Sequence, residues 1–137
     1  MEVGSSLSLM PEATPLYQIR LAVRRELSDL TAGDAVIVAT SGGADSLALA
    51  AAVLLESQTR SINPIAAIID HGLQPNSADV AQAAKNELSK IGYSAIEIRK
   101  VAVDVKDGIE ASARRARYAA LDEIARSHNA KIGRAHV

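Results

Sequence analysis

Residues Ala35 to Ser57, AVIVATSGGADSLALAAAVLLES, constrain the fold more than any other stretch of the chain. They read as a short β-branched strand, a turn with two adjacent glycines, and a helix with almost no polar positions. A buried strand that enters a helix through Gly42 and Gly43 aims free backbone N–H groups at one point. The helix N-terminus adds partial positive charge there, so the turn suits a phosphate. A nucleoside triphosphate is the expected class of ligand.

The same alternation continues on both sides. Thr14 and Pro15 form an N-cap and first helical residue, and Gly33 helps to end that helix. Leu16, Ile19, Val23, Leu27 and Leu30 follow at three- and four-residue steps, giving one apolar stripe. Arg20, Arg24, Arg25 and Glu26 on the other side are expected to be a solvated face. Ala35–Thr40 is continuously apolar rather than alternating, as in a strand covered on both faces. The helix after it is apolar nearly all round and should be sandwiched.

Pro64–Asp70 is a second buried strand, ending on a carboxylate. Pro75, Asn76 and Ser77 make a loop and N-cap, Val80, Ala84, Leu88 and Ile91 mark the next helix, and Gly92 stops it. A third strand spans Ser94–Val103, with Ile96 and Ile98 alternating against Glu97 and Arg99. Asp107 and Gly108 form a turn before a helix from about Glu110 to Ser127. Strands separated by helices imply an α/β fold, a parallel sheet of three strands with helices on both faces. Ligands of such sheets bind beyond the strands' carboxyl ends, where the double-glycine turn and Asp70 both lie.

With 137 residues the chain has room for one domain with a real core. It has three Tyr and neither Phe nor Trp, so that core must be aliphatic. The net charge of −1 leaves no global field to steer it to nucleic acid or membrane. Without cysteine these residues offer no disulfide, thiolate metal site or cysteine nucleophile. Residues 1–13 are expected to be a flexible arm, and they lack the basic and long apolar regions of a signal peptide. The longest apolar run, Leu47–Leu55, is nine residues, far short of the ~20 that span a bilayer. A soluble, cytoplasmic protein with no membrane partner is the expectation.

The segment Ser41-Gly42-Gly43-Ala44-Asp45-Ser46 is not a Walker A loop, because no Gly-Lys-Ser/Thr follows, and its glycines are adjacent, which excludes GxGxxG. The plainer alternative is a tight turn with Asp45 as an N-cap. A carboxylate beside a phosphate repels it unless a divalent cation stands between them, so Asp45 is better placed as a Mg²⁺-side ligand. SGGADS resembles the SGGxDS loop of the N-type ATP pyrophosphatases, which include GMP and NAD synthetases, tRNA thiolases and tRNA(Ile)-lysidine synthetases. Two later segments resemble the last of these families. Asp70-His71-Gly72-Leu73, with Pro75 after it, resembles its DHGLRP segment but departs at Gln74, where that family usually has Arg. Gly108 to Tyr118, GIEASARRARY, resembles its GxExxARRxRY helix start. At 100° per residue Glu110, Arg114, Arg117 and Tyr118 share a face and Arg115 points aside.

The resemblance covers about residues 16–131 and implies an adenine nucleotide alpha hydrolase-like, Rossmann-like domain over residues 14–131. It implies ATP-dependent ligation of L-lysine to the wobble cytidine of the CAU-anticodon tRNA(Ile), through an adenylated tRNA, with release of pyrophosphate and AMP. It assigns Ser41, Gly42, Gly43, Ala44, Asp45, Ser46, Asp70 and His71 to ATP, and Asp45 to Mg²⁺. Asp45, Arg114 and Arg117 are the implied catalytic residues, the arginines steadying charge that grows on phosphate. That family continues with a fourth strand beside the first, an HxxDD segment and tRNA-binding domains, so the chain is expected to be truncated before the fourth strand and inactive alone. Its last residues, Ile132-Gly133-Arg134-Ala135-His136-Val137, are what a common sequencing adapter encodes, and a non-native tail is expected there. The first strand would then present an apolar edge that invites pairing with another chain. The rival readings are a tRNA thiolase, which usually needs cysteines, and a non-catalytic ATP-binding module.

Overall fold

The computed structural model of the protein describes residues 15–103 and 108–130. The expected arm, Thr14, Asp107 and the tail at 132–137 lie outside the described residues. Seven elements follow in order: α1 (Pro15–Glu26), β1 (Ala35–Thr40), α2 (Ala44–Arg60), β2 (Asn63–Asp70), α3 (Ser77–Ile91), β3 (Ile96–Lys100) and α4 (Ile109–Ser127). The strands form one parallel sheet in the order β1-β2-β3. Thr40 pairs with Ile68 and Asp70 with Lys100, so the β2 carboxyl end projects past that of β1. The expected parallel α/β sheet is therefore present.

Alternation along the strands sends successive side chains to opposite layers. Val36, Val38, Ala66 and Ile68 face α2 and α3, where Ala50, Val53, Ala84 and Leu88 complete a dry core. Ile37, Ile65 and Ala67 face the other way and are covered by Leu121, Ile124 and Ala125 of α4. Helices thus lie on both faces. β1 has no second strand partner among the described residues, although Val36 and Val38 are fully buried. β3 is shorter than the expected Ser94–Val103 and half-buried; its Glu97 and Arg99 side chains pair with each other at 3.1 Å, Arg99 also reaching toward Glu123 of α4 and Glu97 toward His128.

The nearly all-apolar α2 is sandwiched as expected, between the sheet and α1. Its one buried acidic residue, Glu56, corrects the expectation that α1 carries a simple solvated face. Arg20 donates to Glu56 Oε2 at 2.8 Å through Nη2, and Arg24 donates to Oε1 at 3.1 Å through Nε. Burial pushes the Glu56 carboxyl up, but hydrogen bonds from Arg24 and Arg20 and their charges outweigh it and hold it below the usual value. A depressed carboxyl pKa contributes stability that is present above the free-carboxylate value of 4.5 and is lost as pH falls through the folded value. Glu56→Gln is expected to cost about 1–3 kcal/mol near neutrality. Its stability should also fall less steeply than the parent's on acidification from pH 6 to roughly pH 3. Denaturant midpoints across pH measure both, and parallel curves would count against the clamp.

Candidate nucleotide site

The loop between β1 and α2 is built around one hydroxyl. Gly42 adopts φ +90°, and a Cβ there would stand 2.8 Å from the Ala84 Cβ of α3, so only glycine lets α3 close over the loop. Gly43 is different: it is the N-cap of α2 at φ −72°, and a Cβ would meet nothing nearer than the Ser41 Oγ at 3.6 Å. No side chain caps α2. Asp45 therefore does not take the capping role of the plainer alternative; it is exposed in the first turn of α2, where a carboxylate suits the helix dipole. Ser46 is buried, and its Oγ accepts from the Ser41 N–H at 3.2 Å and the Gly42 N–H at 3.1 Å while donating to the Gly43 carbonyl at 3.0 Å. The backbone donors expected to meet a phosphate converge on this oxygen.

β2 places Asp70 beside the loop. Its buried carboxylate accepts from the Gly72 N–H at 2.9 Å. That bond, with one from the Ser77 side chain and the nearby Lys100 and His71 charges, holds Asp70 below the usual carboxylate range against the cost of burial. Gly72 at φ +67° makes the turn that brings its N–H back. Ser77 opens α3 rather than capping it, and Asn76 takes the cap position without a side-chain bond.

Two cavities meet here. The larger, about 460 Å³, runs along the β2 end and the start of α3, walled by Ile68, Asp70, Leu73, Gln74, Asn76 and Val80. The smaller, about 190 Å³, is walled by Thr40, Ser41, Ser46, Ile69, His71 and Arg117. Ser41, Ile69 and His71 belong to both, so the two spaces adjoin. The larger has the size and mixed lining of a small-molecule site. His71 Nδ1 and Arg117 Nε are buried without a hydrogen-bond partner among the described residues. Unmet buried donors or acceptors of this kind cost free energy that a polar ligand recovers.

α4 brings Arg117 to the small cavity and leaves Arg114 exposed over the Tyr118 ring, 5.4 Å from its centroid. Arg115 donates to Ser112 Oγ at 3.3 Å. Of the arginine trio, only Arg117 lines the site. Gln74 lines the larger cavity as a neutral residue. Sequence reasoning missed Thr40, the one hydroxyl in a strand otherwise apolar, and Ser77, which steadies Asp70. No three His, Asp or Glu side chains cluster as metal ligands among the described residues, and no helix among them is long and apolar enough to cross a membrane.

Comparison with known proteins places these features. Residues 16–136 match the family described as PP-loop domain, an ATP-binding family. The chain is 44% identical over 116 residues to a tRNA(Ile)-lysidine synthase of Thermobifida fusca, covering 85% of the chain and 36% of the relative. It is 44% identical over 114 residues to the same enzyme of Rhodococcus jostii, covering 83% and 34%. With that of Nocardia farcinica it shares 47% identity over 105 residues, covering 75% and 32%. The chain spans about a third of the length of the curated relatives it matches. Among solved structures, the U34-tRNA thiolase NcsA of Methanococcus maripaludis with its 4Fe-4S cluster aligns with a TM-score of 0.65 at 21% identity. That alignment covers 85% of this chain and 43% of the thiolase, and the likeness is one of fold. On the match across residues 16–136 and the fold that carries it, the chain belongs to the PP-loop domain family.

Proposed function

We propose that this chain is the ATP-binding part of a tRNA(Ile)-lysidine synthetase. In that reaction the wobble cytidine O2 of a CAU-anticodon tRNA(Ile) attacks the ATP α-phosphate and releases pyrophosphate. The lysine ε-amine then displaces AMP to give lysidine. The observation that carries the reading is the meeting of three separated segments, Ser41–Ser46, Asp70–His71 and Arg117, around two adjoining cavities. Similarity to lysidine synthases at 44–47% identity supports the choice of acceptor. The absence of cysteine from these 137 residues gives a thiolase no thiolate here.

The residues divide the work. The N–H groups of Ser41 and Gly42 and the N-terminus of α2 receive phosphate oxygens in the smaller cavity. The nucleoside takes the larger one, with Asp70 held ionised at its wall. Arg117 faces the phosphates, and at a half-buried cavity wall its charge acts more strongly than it would in bulk water. Asp45, exposed in the first turn of α2, fits Mg²⁺, a cation that keeps several waters and takes one or two protein carboxylates beside substrate phosphates. When bound, Mg²⁺ would neutralise phosphate charge.

The test is pyrophosphate release by the full-length polypeptide that carries this sequence. Release should require unmodified CAU-anticodon tRNA(Ile), and lysine should be needed for AMP release and for turnover beyond the first equivalent. Turnover that needs a sulfur donor in place of lysine would make it a thiolase. ATP binding without turnover under any of these conditions would leave a nucleotide-binding module.

A further inference from the structure

The hydrogen bonding of the loop is overbooked at one atom. Ser46 Oγ gives its single hydrogen to the Gly43 carbonyl, which leaves two lone pairs. Three donors lie within reach of them: Thr40 Oγ1 at 3.0 Å, the Ser41 N–H at 3.2 Å and the Gly42 N–H at 3.1 Å. Ser41 Oγ is a possible fourth, also at 3.2 Å. Two acceptor sites cannot satisfy all of these in full, so each shared bond is weaker than an exclusive one. The shortest of the donor contacts comes from Thr40, which is buried at the end of β1. Its hydroxyl oxygen also stands 3.3 Å from the Gly42 nitrogen, as an alternative acceptor for that N–H.

We propose that Thr40 is a positioning residue for phosphate binding: its buried hydroxyl keeps Ser46 Oγ engaged, so that the Ser41 and Gly42 N–H groups are only partly committed and can turn to a phosphate oxygen. The inference rests on the proposed phosphate site and adds a residue to it. Thr40 lines the small cavity but is buried, and its hydroxyl donates to Ser46, so it acts through the loop rather than on the ligand. Without it, the two N–H groups take both Ser46 lone pairs outright, and an incoming phosphate must break those bonds before making its own.

Thr40→Val removes the hydroxyl while keeping a β-branched side chain of the same shape, and Thr40→Ser keeps the hydroxyl. The probes are inorganic pyrophosphate with Mg²⁺ and, separately, adenosine, each titrated calorimetrically into the full-length polypeptide that carries this sequence, under conditions where melts show every variant folded. Thr40→Val should weaken pyrophosphate binding about tenfold and change adenosine binding by less than about twofold, while Thr40→Ser binds both as the parent does. Unchanged pyrophosphate binding by Thr40→Val overturns the role, as does equal weakening of both probes or failure of Thr40→Ser to restore binding. A parent chain that binds no pyrophosphate would overturn the phosphate site together with the Thr40 role, which sets that failure apart from the others.

Discussion

Gly42→Ala is expected to lower the unfolding free energy by about 2–4 kcal/mol, whereas Gly43→Ala should change it by less than about 1 kcal/mol. The two glycines are adjacent but face different constraints. At Gly42 an alanine meets two penalties: φ +90° is strained for any L side chain, and its methyl would overlap the Ala84 Cβ at 2.8 Å. Neither can relax cheaply, because Ala84 is a buried backbone-proximal atom of α3 rather than the tip of a flexible chain. At Gly43 the backbone is already in a region open to all residues and the nearest atom is at ordinary contact distance. The fold does not need glycine there, so the missing Cβ is left for the ligand to use. Gly43→Ala should accordingly melt like the parent and bind pyrophosphate more than about tenfold more weakly. Paired denaturation and calorimetry on the two variants read this out. A Gly42→Ala variant as stable as the parent would mean that α3 does not close over the loop.

The contrast shows what could be read from the residues and what could not. The order of strands and helices, the parallel sheet and the position of the loop and Asp70 at strand carboxyl ends follow from apolar runs, helical stripes and Gly or Pro punctuation, all local signals. What was hidden depends on which element packs on which. The helical stripe of α1 correctly marks Val23 and Leu27 as core, but it does not say that α1 rests on α2. Arg20 and Arg24 therefore looked solvated, although a lone Glu56 in the apolar stretch of α2 was the available signal for a buried ion pair. Gly42 was visible as a turn glycine, whereas its contact with Ala84, forty-two positions later, is set only by the approach of α3. Thr40 stands as a hydroxyl at the end of an aliphatic run, but threonine suits a strand and nothing local shows that it will meet Ser46.

The arginines of α4 show the same limit and carry the largest expected effect on activity. Helical geometry puts Arg114, Arg117 and Tyr118 on one face, and the spacing alone favours neither arginine. The packing of α4 against β1 and β2 decides between them. Arg117 is half-buried, lines the cavity that holds Ser41 and Ser46, and has a buried Nε without a hydrogen-bond partner among the described residues. Its guanidinium also lies 5.5 Å from the Tyr118 centroid, a cation–π contact that limits its freedom and holds its charge at the cavity wall. Arg114 shares the ring from solvent and lines neither cavity. A charge positioned at a half-buried cavity wall stabilises a transition state more than one in bulk water, so Arg117→Ala should slow adenylation by about 10²–10³-fold. Arg114→Ala should slow it by less than about fivefold, the loss of an exposed charge. Arg117→Lys should fall between, because it keeps the charge and loses the planar fork. The assay is tRNA-dependent exchange of labelled pyrophosphate into ATP by the full-length polypeptide, with ATP affinity measured alongside. Equal losses in Arg114→Ala and Arg117→Ala would return the role to the helix face as a whole, and no loss in either would remove it from α4.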